Sequence, residues 1–229
     1  MNKLAIRVLF FDAAGTLFHT RGSVGELYLK IARKYGSTAT REALDEAFFD
    51  VFRSTPPPAG SVNAREEAWW RDVVRQVFQR VGTVQRFEDY FQEVYSVFKG
   101  SQGWELFPET IDTLTRLKTK GYALGMITNF DSRVRAVNQA LGLAPFLESV
   151  TLSVEAGAAK PDPRIFREAL KRHRIQPEEA AHIGDSPSDD VAGALNAGLR
   201  AVLIDRQGAF KPESGYVKIE SLTELLDTF

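Results

Sequence analysis

Four mostly apolar runs along the chain each end at a polar turn, and this pattern predicts buried parallel strands. The runs cover residues 5–11, 123–127, 180–183 and 201–204. The polar residues at or just after their ends are Asp12, Thr128, Asp185 and Asp205. Because strands buried on both faces appear as nearly continuous apolar runs, we expect a parallel sheet with these side chains at its carboxyl edge.

Between these runs, apolar residues recur at helical spacing. Residues 110–120 place Ile111, Leu114 and Leu117 on one face, and residues 163–171 begin with a proline. Strands that alternate with helices predict an α/β fold, a Rossmann-like three-layer core around a central parallel sheet. Ligands of such sheets bind at the carboxyl ends of the strands, where the polar residues fall.

Residues 19–103 break this alternation, since they contain no convincing buried strand. Helical patterns cover residues 25–35, 43–52 and 67–81, and a loop that contains three consecutive prolines is predicted at residues 54–60. We therefore predict a core domain formed by residues 1–18 and 104–229, with an inserted α-helical domain at residues 19–103.

Composition excludes several classes of protein. A net charge of −1 gives no basic surface for nucleic acid, and no apolar run approaches the ~18 residues of a membrane helix. The absence of cysteine excludes thiol catalysis, and any metal would be held by carboxylates. We expect no nucleic-acid or membrane partner. Residues 1–4 do not resemble a secretory signal, so a cytoplasmic location is expected.

Each candidate site residue has a structural and a chemical interpretation. Asp12 in FFDAAGTLF is either a turn residue or a nucleophilic carboxylate. Thr128 in ITNFD is either a helix cap or a hydroxyl that binds anionic oxygens. Lys160 in AAKPDPRIF is either a surface cation or the partner of a carboxylate cluster.

Three further acids belong to the same predicted edge of the sheet. They are Asp185, Asp189 and Asp190 in IGDSPSDDVAGALNAG. Acids in the first turn of a helix are common caps. A cluster of them beside Asp12, with only Lys160 to offset the charge, either raises a pKa or binds a divalent cation such as Mg²⁺.

Taken in order, these motifs resemble those of the haloacid dehalogenase superfamily. The set is strand-Asp-x-x-Gly-Thr, strand-Thr-Asn, Lys-Pro, and strand-Gly-Asp followed by further acids, and it covers nearly the whole chain. The insertion after the first motif is similar to the helical cap of the first subfamily. The stretches GSVGELY, EEAWWRDVV and KPDPRIF resemble the haloacid dehalogenase-like hydrolase domain-containing proteins.

Most members of this superfamily are Mg²⁺-dependent phosphatases, so the resemblance implies a small phosphorylated metabolite as substrate. It implies that Asp12 attacks phosphorus and forms an aspartyl phosphate. The implied Mg²⁺ ligands are Asp12, the carbonyl of Ala14, and Asp185. The implied phosphoryl-binding residues are Thr16, Thr128, Asn129 and Lys160. Asp190, or Asp189, would orient Lys160 or a metal-bound water.

One position departs from the pattern of the phosphatases. They carry a second aspartate, the general acid, two residues after the nucleophile, where this chain has Ala14. General acid–base catalysis contributes roughly 10²–10⁴-fold, so we expect slow turnover, a substrate with a good leaving group, or different chemistry.

Three alternatives to an ordinary phosphatase remain open. The 2-haloacid dehalogenases also lack the second aspartate, but they use no metal and carry a small neutral residue where this chain has Asp185. Phosphonoacetaldehyde hydrolases have alanine at the position of Ala14, but they need a lysine in the cap to form a Schiff base. In this chain only Lys30 and Lys34 are candidates for that lysine. The third is a catalytically weakened phosphate-binding protein. Oligomeric state is not predicted.

Overall fold

The computed structural model describes residues 5–55, 63–211 and 213–229. Residues 56–60 of the predicted loop and the N-terminal residues 1–4 lie outside the described residues. Ser54, predicted to begin that loop, is instead the last residue of a helix. Within the described part, no helix is both long enough and apolar enough to cross a membrane.

Strands and helices alternate through most of the chain. The strands are β1 (Val8–Phe11), β2 (Phe18–Thr20), β3 (Trp104–Leu106), β4 (Ala123–Thr128), β5 (Ser149–Leu152), β6 (Ala180–Gly184), β7 (Arg200–Ile204) and β8 (Val217–Ile219). The α-helices are α1 (Val24–Ala32), α2 (Arg41–Ser54), α3 (Asn63–Val81), α4 (Phe87–Val97), α5 (Thr110–Thr119), α6 (Val134–Ala140), α7 (Ser153–Ala156), α8 (Pro163–His173), α9 (Ala192–Asn196) and α10 (Leu225–Thr228).

The described residues form two compact units. The first contains the described residues of Met1–His19, Leu106–Asp131 and Gly142–Phe229, and the second contains those of Thr20–Glu105 and Ser132–Leu141. The predicted limits of the insertion, residues 19 and 103, lie within two residues of the two ends of the long segment of the second unit, Thr20 and Glu105. The prediction did not separate residues 132–141 from the core.

A six-stranded parallel sheet in the order β5-β4-β1-β6-β7-β8 organises the first unit. Every residue of β1 is buried, as its apolar run predicts. Val8 and Phe10 of β1 belong to one core cluster with Ile165 and Phe166 of α8. The α/β class with a central parallel sheet, expected from the sequence, is confirmed.

The sequence prediction missed both edge strands of this sheet. β5 and β8 have only three or four residues and are partly exposed, so neither forms an apolar run that periodicity would detect. The four predicted strands correspond to β1, β4, β6 and β7, which occupy the interior of the sheet. The predictable strands are therefore those that position the candidate site.

The second unit is helical. Ser23 caps α1 by accepting from the backbone N–H of Glu26, and Asp45 of α2 accepts from the backbone N–H of Gly25 at 2.6 Å. A Cβ at Gly25 would lie 2.5 Å from the carbonyl oxygen of Arg41, so glycine permits the close approach of α1 and α2. Aromatic side chains fill the core of the unit, including Tyr28, Phe78, Tyr90 and Phe91.

Residues 132–141 join the helical unit through contacts with α3 and α4. The buried Glu66 carboxylate of α3 accepts from both the backbone N–H and the hydroxyl of Ser132. The Arg133 guanidinium carbon lies 4.4 Å from the ring centroid of Trp70 and 4.7 Å from that of Tyr95. These contacts explain why a segment that follows a core strand packs with the helices.

Candidate active site

Asp12 follows directly after the central strand β1 and forms the middle of the site. Its backbone N–H donates to the carbonyl of Ile183 at 2.8 Å, and its side chain is only 13% exposed. Phe11 lies in register with Met126 of β4 and with Ile183 of β6. The carboxyl ends of these three neighbouring strands therefore bring Asp12, Thr128 and Asp185 to one edge of the sheet.

Lys160 is buried against two carboxylates. Its Nζ lies 2.7 Å from Asp12 Oδ1 and 2.5 Å from Asp190 Oδ1. The lysine side chain is 3% exposed, so most of its hydration is replaced by these two contacts. Of the two structural and chemical interpretations of Lys160, the geometry selects the partner of a carboxylate cluster.

Asn129 fixes the backbone of Lys160. Its Oδ1 accepts from the Lys160 backbone N–H at 2.8 Å, and its Nδ2 donates to the Lys160 carbonyl at 3.0 Å. The side chain of Asn129 was predicted to bind substrate. In the structure, both polar atoms of its amide are instead hydrogen-bonded to the backbone of Lys160. This pair of hydrogen bonds links the loop after β4 to the loop before α8.

The two threonines of the predicted set are buried. Thr128 Oγ1 accepts from the backbone N–H of Phe130 at 3.1 Å, an arrangement that orders the turn after β4. Thr16 Oγ1 lies 3.5 Å from Asp185 Oδ1. Ala14, in the turn between Asp12 and β2, forms an isolated bridge with Phe18.

Asp190, and not Asp189, contacts Lys160. Asp190 is 1% exposed, and its Oδ2 accepts from the backbone N–H of Ser186 at 3.0 Å. Asp189 is half-buried, with its backbone N–H donating to Ser186 Oγ at 3.1 Å. A single π-helical turn, Pro187–Val191, directs the second acid inward.

A glycine makes room for Asp190. A Cβ placed on Gly184 would lie 2.1 Å from Asp190 Cγ, which real side chains never tolerate. The glycine of the Gly-Asp motif is therefore required by the close approach of the Asp190 carboxylate to the end of β6.

The electrostatic balance of the cluster is negative. Burial opposes the charge of Lys160, but the Asp12 and Asp190 carboxylates hold its pKa above the usual value. Burial acts against the charge of Asp190 too, yet the Lys160 ammonium and His182 hold its pKa below the usual range. Burial and the negative charges of Asp12 and Asp190 raise the pKa of Asp185 to about 6. Burial and Asp190 also raise the pKa of Asp189.

Two acids of the cluster are available to a divalent cation that prefers oxygen ligands. Asp12, Asp185 and Asp190 each have one carboxylate oxygen within 4.8 Å of the other two. Lys160 and Ser186 already engage both oxygens of Asp190, so Asp12 and Asp185 are the candidate ligands. Gly15 has a φ of +86°, and a Cβ there would lie 2.2 Å from Asp185 Oδ2. The absence of a side chain at Gly15 leaves room for the Asp185 carboxylate, and a pair of carboxylates suits Mg²⁺, which proteins usually bind with one or two of them.

Sequence reasoning missed two residues that contact the site. His182 Nε2 lies 2.8 Å from Asp190 Oδ1, and Arg206 Nη2 donates to the carbonyl of Thr16 at 2.9 Å. A histidine inside an otherwise apolar strand was the available signal for the first. Asp205, which ends its own predicted run, instead accepts from the backbone N–H groups of Ala209 and Phe210.

Comparisons with known proteins agree with this fold. Residues 6–198 match the family described as haloacid dehalogenase-like hydrolase. The chain is 34% identical over 217 residues to human haloacid dehalogenase-like hydrolase domain-containing protein 3, covering 92% of this chain and 86% of that protein. The chain therefore belongs to the haloacid dehalogenase-like hydrolase family, as its motifs predicted, and it is a hydrolase.

Two solved structures show the breadth of chemistry among similar proteins. One is a haloacid dehalogenase-family phosphatase from Thermococcus onnurineus, with a TM-score of 0.69, 25% identity and 97% coverage of each chain. The other is a 2-haloacid dehalogenase from Pseudomonas syringae, with a TM-score of 0.69, 28% identity and 97% coverage of each chain. Overall similarity therefore does not choose between the two reactions.

Proposed function

We propose that this hydrolase is a Mg²⁺-dependent phosphatase that acts on a small phosphorylated metabolite through an aspartyl phosphate. The observation that carries the proposal is the cluster of Asp12, Asp185 and Asp190 around a buried Lys160, with carboxylate oxygens within 4.8 Å of one another. Three acids and one cation favour a further positive charge and an anionic substrate.

In the proposed first step, a carboxylate oxygen of Asp12 forms a bond to phosphorus while the bond from phosphorus to the ester oxygen breaks. The departing oxygen takes the electron pair. Lys160 and the backbone around Thr128 bind the phosphoryl oxygens, since phosphoryl transfer depends mainly on positioning and charge stabilisation. The oxygen of a water molecule then forms a bond to phosphorus while the bond from the Asp12 oxygen to phosphorus breaks. Asp12 recovers its carboxylate, and the proton of the water passes to the departing phosphate or to solvent.

A divalent cation, when bound by Asp12, Asp185 and the carbonyl of Ala14, supplies positive charge that reduces repulsion between Asp12 and the substrate. Asp190 keeps Lys160 in place, and we assign the second, helical unit as the cap that selects the substrate. The cytoplasmic location expected from the sequence stays a prediction.

Ala14 favours a second candidate function. A halide leaves without a proton, so a 2-haloacid dehalogenase has no need for an acid at that position, and one similar structure has that activity in its name. Asp185 argues against this candidate. A metal-free reaction gains nothing from adding its carboxylate, which is costly to bury, to those of Asp12 and Asp190. A weakened phosphate-binding protein is a further alternative, with the same site and without turnover.

A substrate panel distinguishes these functions. We would measure phosphate and halide release from phosphomonoesters, acyl phosphates and 2-haloacids, each with Mg²⁺ and with chelator. The proteins are wild type, Asp12→Asn and, as a matched control, Asp189→Asn. We expect Mg²⁺-dependent phosphate release that Asp12→Asn abolishes and Asp189→Asn largely retains.

Other outcomes contradict the proposal. Halide release in the presence of chelator would establish the dehalogenase. If no substrate of the panel released phosphate or halide, and the folded protein still bound phosphate in the presence of Mg²⁺, the binding role would be established.

A further inference from the structure

His182 is a buried histidine that the proposed mechanism does not use. It lies in the middle of β6, in register with Phe10 of β1 and Ala201 of β7, and it is 1% exposed. Its ring meets that of Phe166 edge-on, with 5.2 Å between centroids. A polar ring in such an apolar place is costly unless its nitrogens are hydrogen-bonded.

Only one of its ring nitrogens finds a partner among the described residues. Nε2 lies 2.8 Å from Asp190 Oδ1, whereas Nδ1 is buried and has no hydrogen-bond partner there. A carboxylate only accepts, so Nε2 carries a proton and donates it. An apolar side chain would fill the same space without leaving Nδ1 unpaired, so packing alone does not account for a histidine.

The hydrogen bond from His182 reaches the oxygen that also holds Lys160. Asp190 Oδ1 lies 2.5 Å from Lys160 Nζ, and Asp190 Oδ2 accepts from the backbone N–H of Ser186. Lys160, His182 and Ser186 together fix both oxygens of the carboxylate. Removing His182 leaves Oδ1 held by the flexible lysine alone, and the carboxylate can then turn about its Cβ–Cγ bond.

We propose that His182 is a positioning residue whose Nε2–H fixes Asp190, so that Asp190 holds the Lys160 ammonium against Asp12. This inference rests on the proposed function for its catalytic consequence, because Lys160 there binds the transferred phosphoryl group. A misplaced group costs rate mainly in the transition state, where the geometry is most demanding.

Kinetics of His182→Phe and His182→Gln test the proposal. Phenylalanine keeps the ring and removes the donor, whereas glutamine places an amide N–H near the position of Nε2. On the best phosphomonoester of the panel, we expect His182→Phe to lower kcat roughly ten- to a hundredfold, with a smaller change in KM. We expect His182→Gln to recover most of that loss.

His173 offers a matched control. Its ring also lies edge-on to a phenylalanine, Phe10, at 5.2 Å, and its Nε2 also has one partner, Ser149 Oγ at 2.7 Å. His173→Phe is therefore expected to lower the Tm while kcat stays near that of wild type. A loss of kcat in both phenylalanine variants would indicate a general effect on folding and would overturn the proposal.

A double variant shows whether His182 acts through Asp190. In the background of Asp190→Asn, His182→Phe is expected to reduce the remaining kcat by less than twofold. The proposal is wrong if the two losses multiply, if folded His182→Phe keeps the wild-type kcat, or if His182→Gln recovers nothing.

NMR of the lysine ammonium groups separates this inference from the proposed function. In ¹H–¹⁵N spectra the buried Lys160 ammonium, assigned by its loss in Lys160→Arg, should exchange slowly in wild type and His182→Gln. It should broaden or disappear in His182→Phe. An unchanged signal would refute the positioning role even in an active phosphatase. A dependence on His182 without phosphate release on the panel would refute only the proposed function.

Discussion

At the scale of single residues, the chemistry of the site depends on what stands at position 14. Ala14 supplies no acid, while Asp12, Lys160 and Asp190 form an ordered chain of contacts with distances of 2.7 and 2.5 Å. An alkoxide that leaves without a proton is a poor leaving group, whereas a carboxylate from an acyl phosphate leaves readily. In the proposed phosphatase reaction, we therefore expect the site to favour substrates with acidic leaving groups.

Ala14→Asp tests this interpretation. If the site is a phosphatase without its acid, the variant should turn over alkyl phosphates faster by about 10²-fold or more. The gain for acyl phosphates should be much smaller. The measurement is kcat/KM for both classes of substrate. Ala14→Asn is the matched control, because it has nearly the same shape and no proton to transfer. Equal rates for aspartate and asparagine, in folded variants, would mean that the site is shaped for other chemistry.

The sequence also left one choice at this scale that the structure made. Asp189 and Asp190 are adjacent, and either could orient Lys160 as far as spacing shows. The π-helical turn Pro187–Val191 directs Asp190 toward Lys160, and Gly184, which has no Cβ, leaves room for its carboxylate. The pattern of apolar and polar residues predicts neither this turn nor this close approach.

At the scale of elements, a titratable histidine lies at the junction between α8 and β5, outside the candidate active site. His173, at the end of α8, contacts Ser149 of β5. Burial lowers the pKa of His173 from its model-compound value of 6.5, although the charge of Glu148 opposes the shift. A histidine with a lowered pKa is held in its neutral form by the fold.

The stability of the protein should therefore depend on pH through His173. The unfolded chain takes up the proton first, so the free energy of unfolding contributed by this group falls as the pH decreases below about 6.5. His173→Gln keeps a donor for Ser149 and removes the titration. Urea unfolding at pH 7.5 and 5.5 should show that wild type loses more stability than the variant between these values. Equal losses would contradict the assignment.

The elements themselves were predictable to different degrees. Interior strands such as β1 and β6 are continuous apolar runs, so their positions followed from the pattern alone. The edge strands β5 and β8 are short and partly exposed, and only pairing with β4 and β7 defines them. The helix α4 was not predicted as an element.

At the scale of the whole molecule, binding of a cation to the carboxylate cluster should stabilise the folded state. A ligand at 100 times its Kd that binds only the folded chain adds about 2.7 kcal/mol to the free energy of unfolding. We expect Mg²⁺ to raise the Tm of wild type and chelator to reverse the increase.

Asp185→Asn should abolish this Mg²⁺-dependent shift, while Asp189→Asn, a neighbouring half-buried acid outside the cluster, should keep it. Differential scanning calorimetry with and without Mg²⁺ measures both variants. A shift of the same size in Asp185→Asn would show that the cation binds elsewhere.

The sequence by itself determined the α/β class, the strands at the centre of the sheet and the ordered motifs. It also determined which residues meet at the carboxyl edge of the sheet, namely Asp12, Thr128, Lys160, Asp185 and Asp190. The class, the central strands and the placement of Asp12, Thr128 and Asp185 follow from local apolar runs and from the rule that parallel strands end at one edge. Lys160 and Asp190 were indicated by the resemblance of the ordered motifs to the superfamily. The tertiary structure decided which acid contacts Lys160, that Asn129 holds the Lys160 backbone, that His182 lies behind Asp190, and that residues 132–141 pack with the helices. Each of these depends on contacts between residues distant in the chain, which no local pattern records.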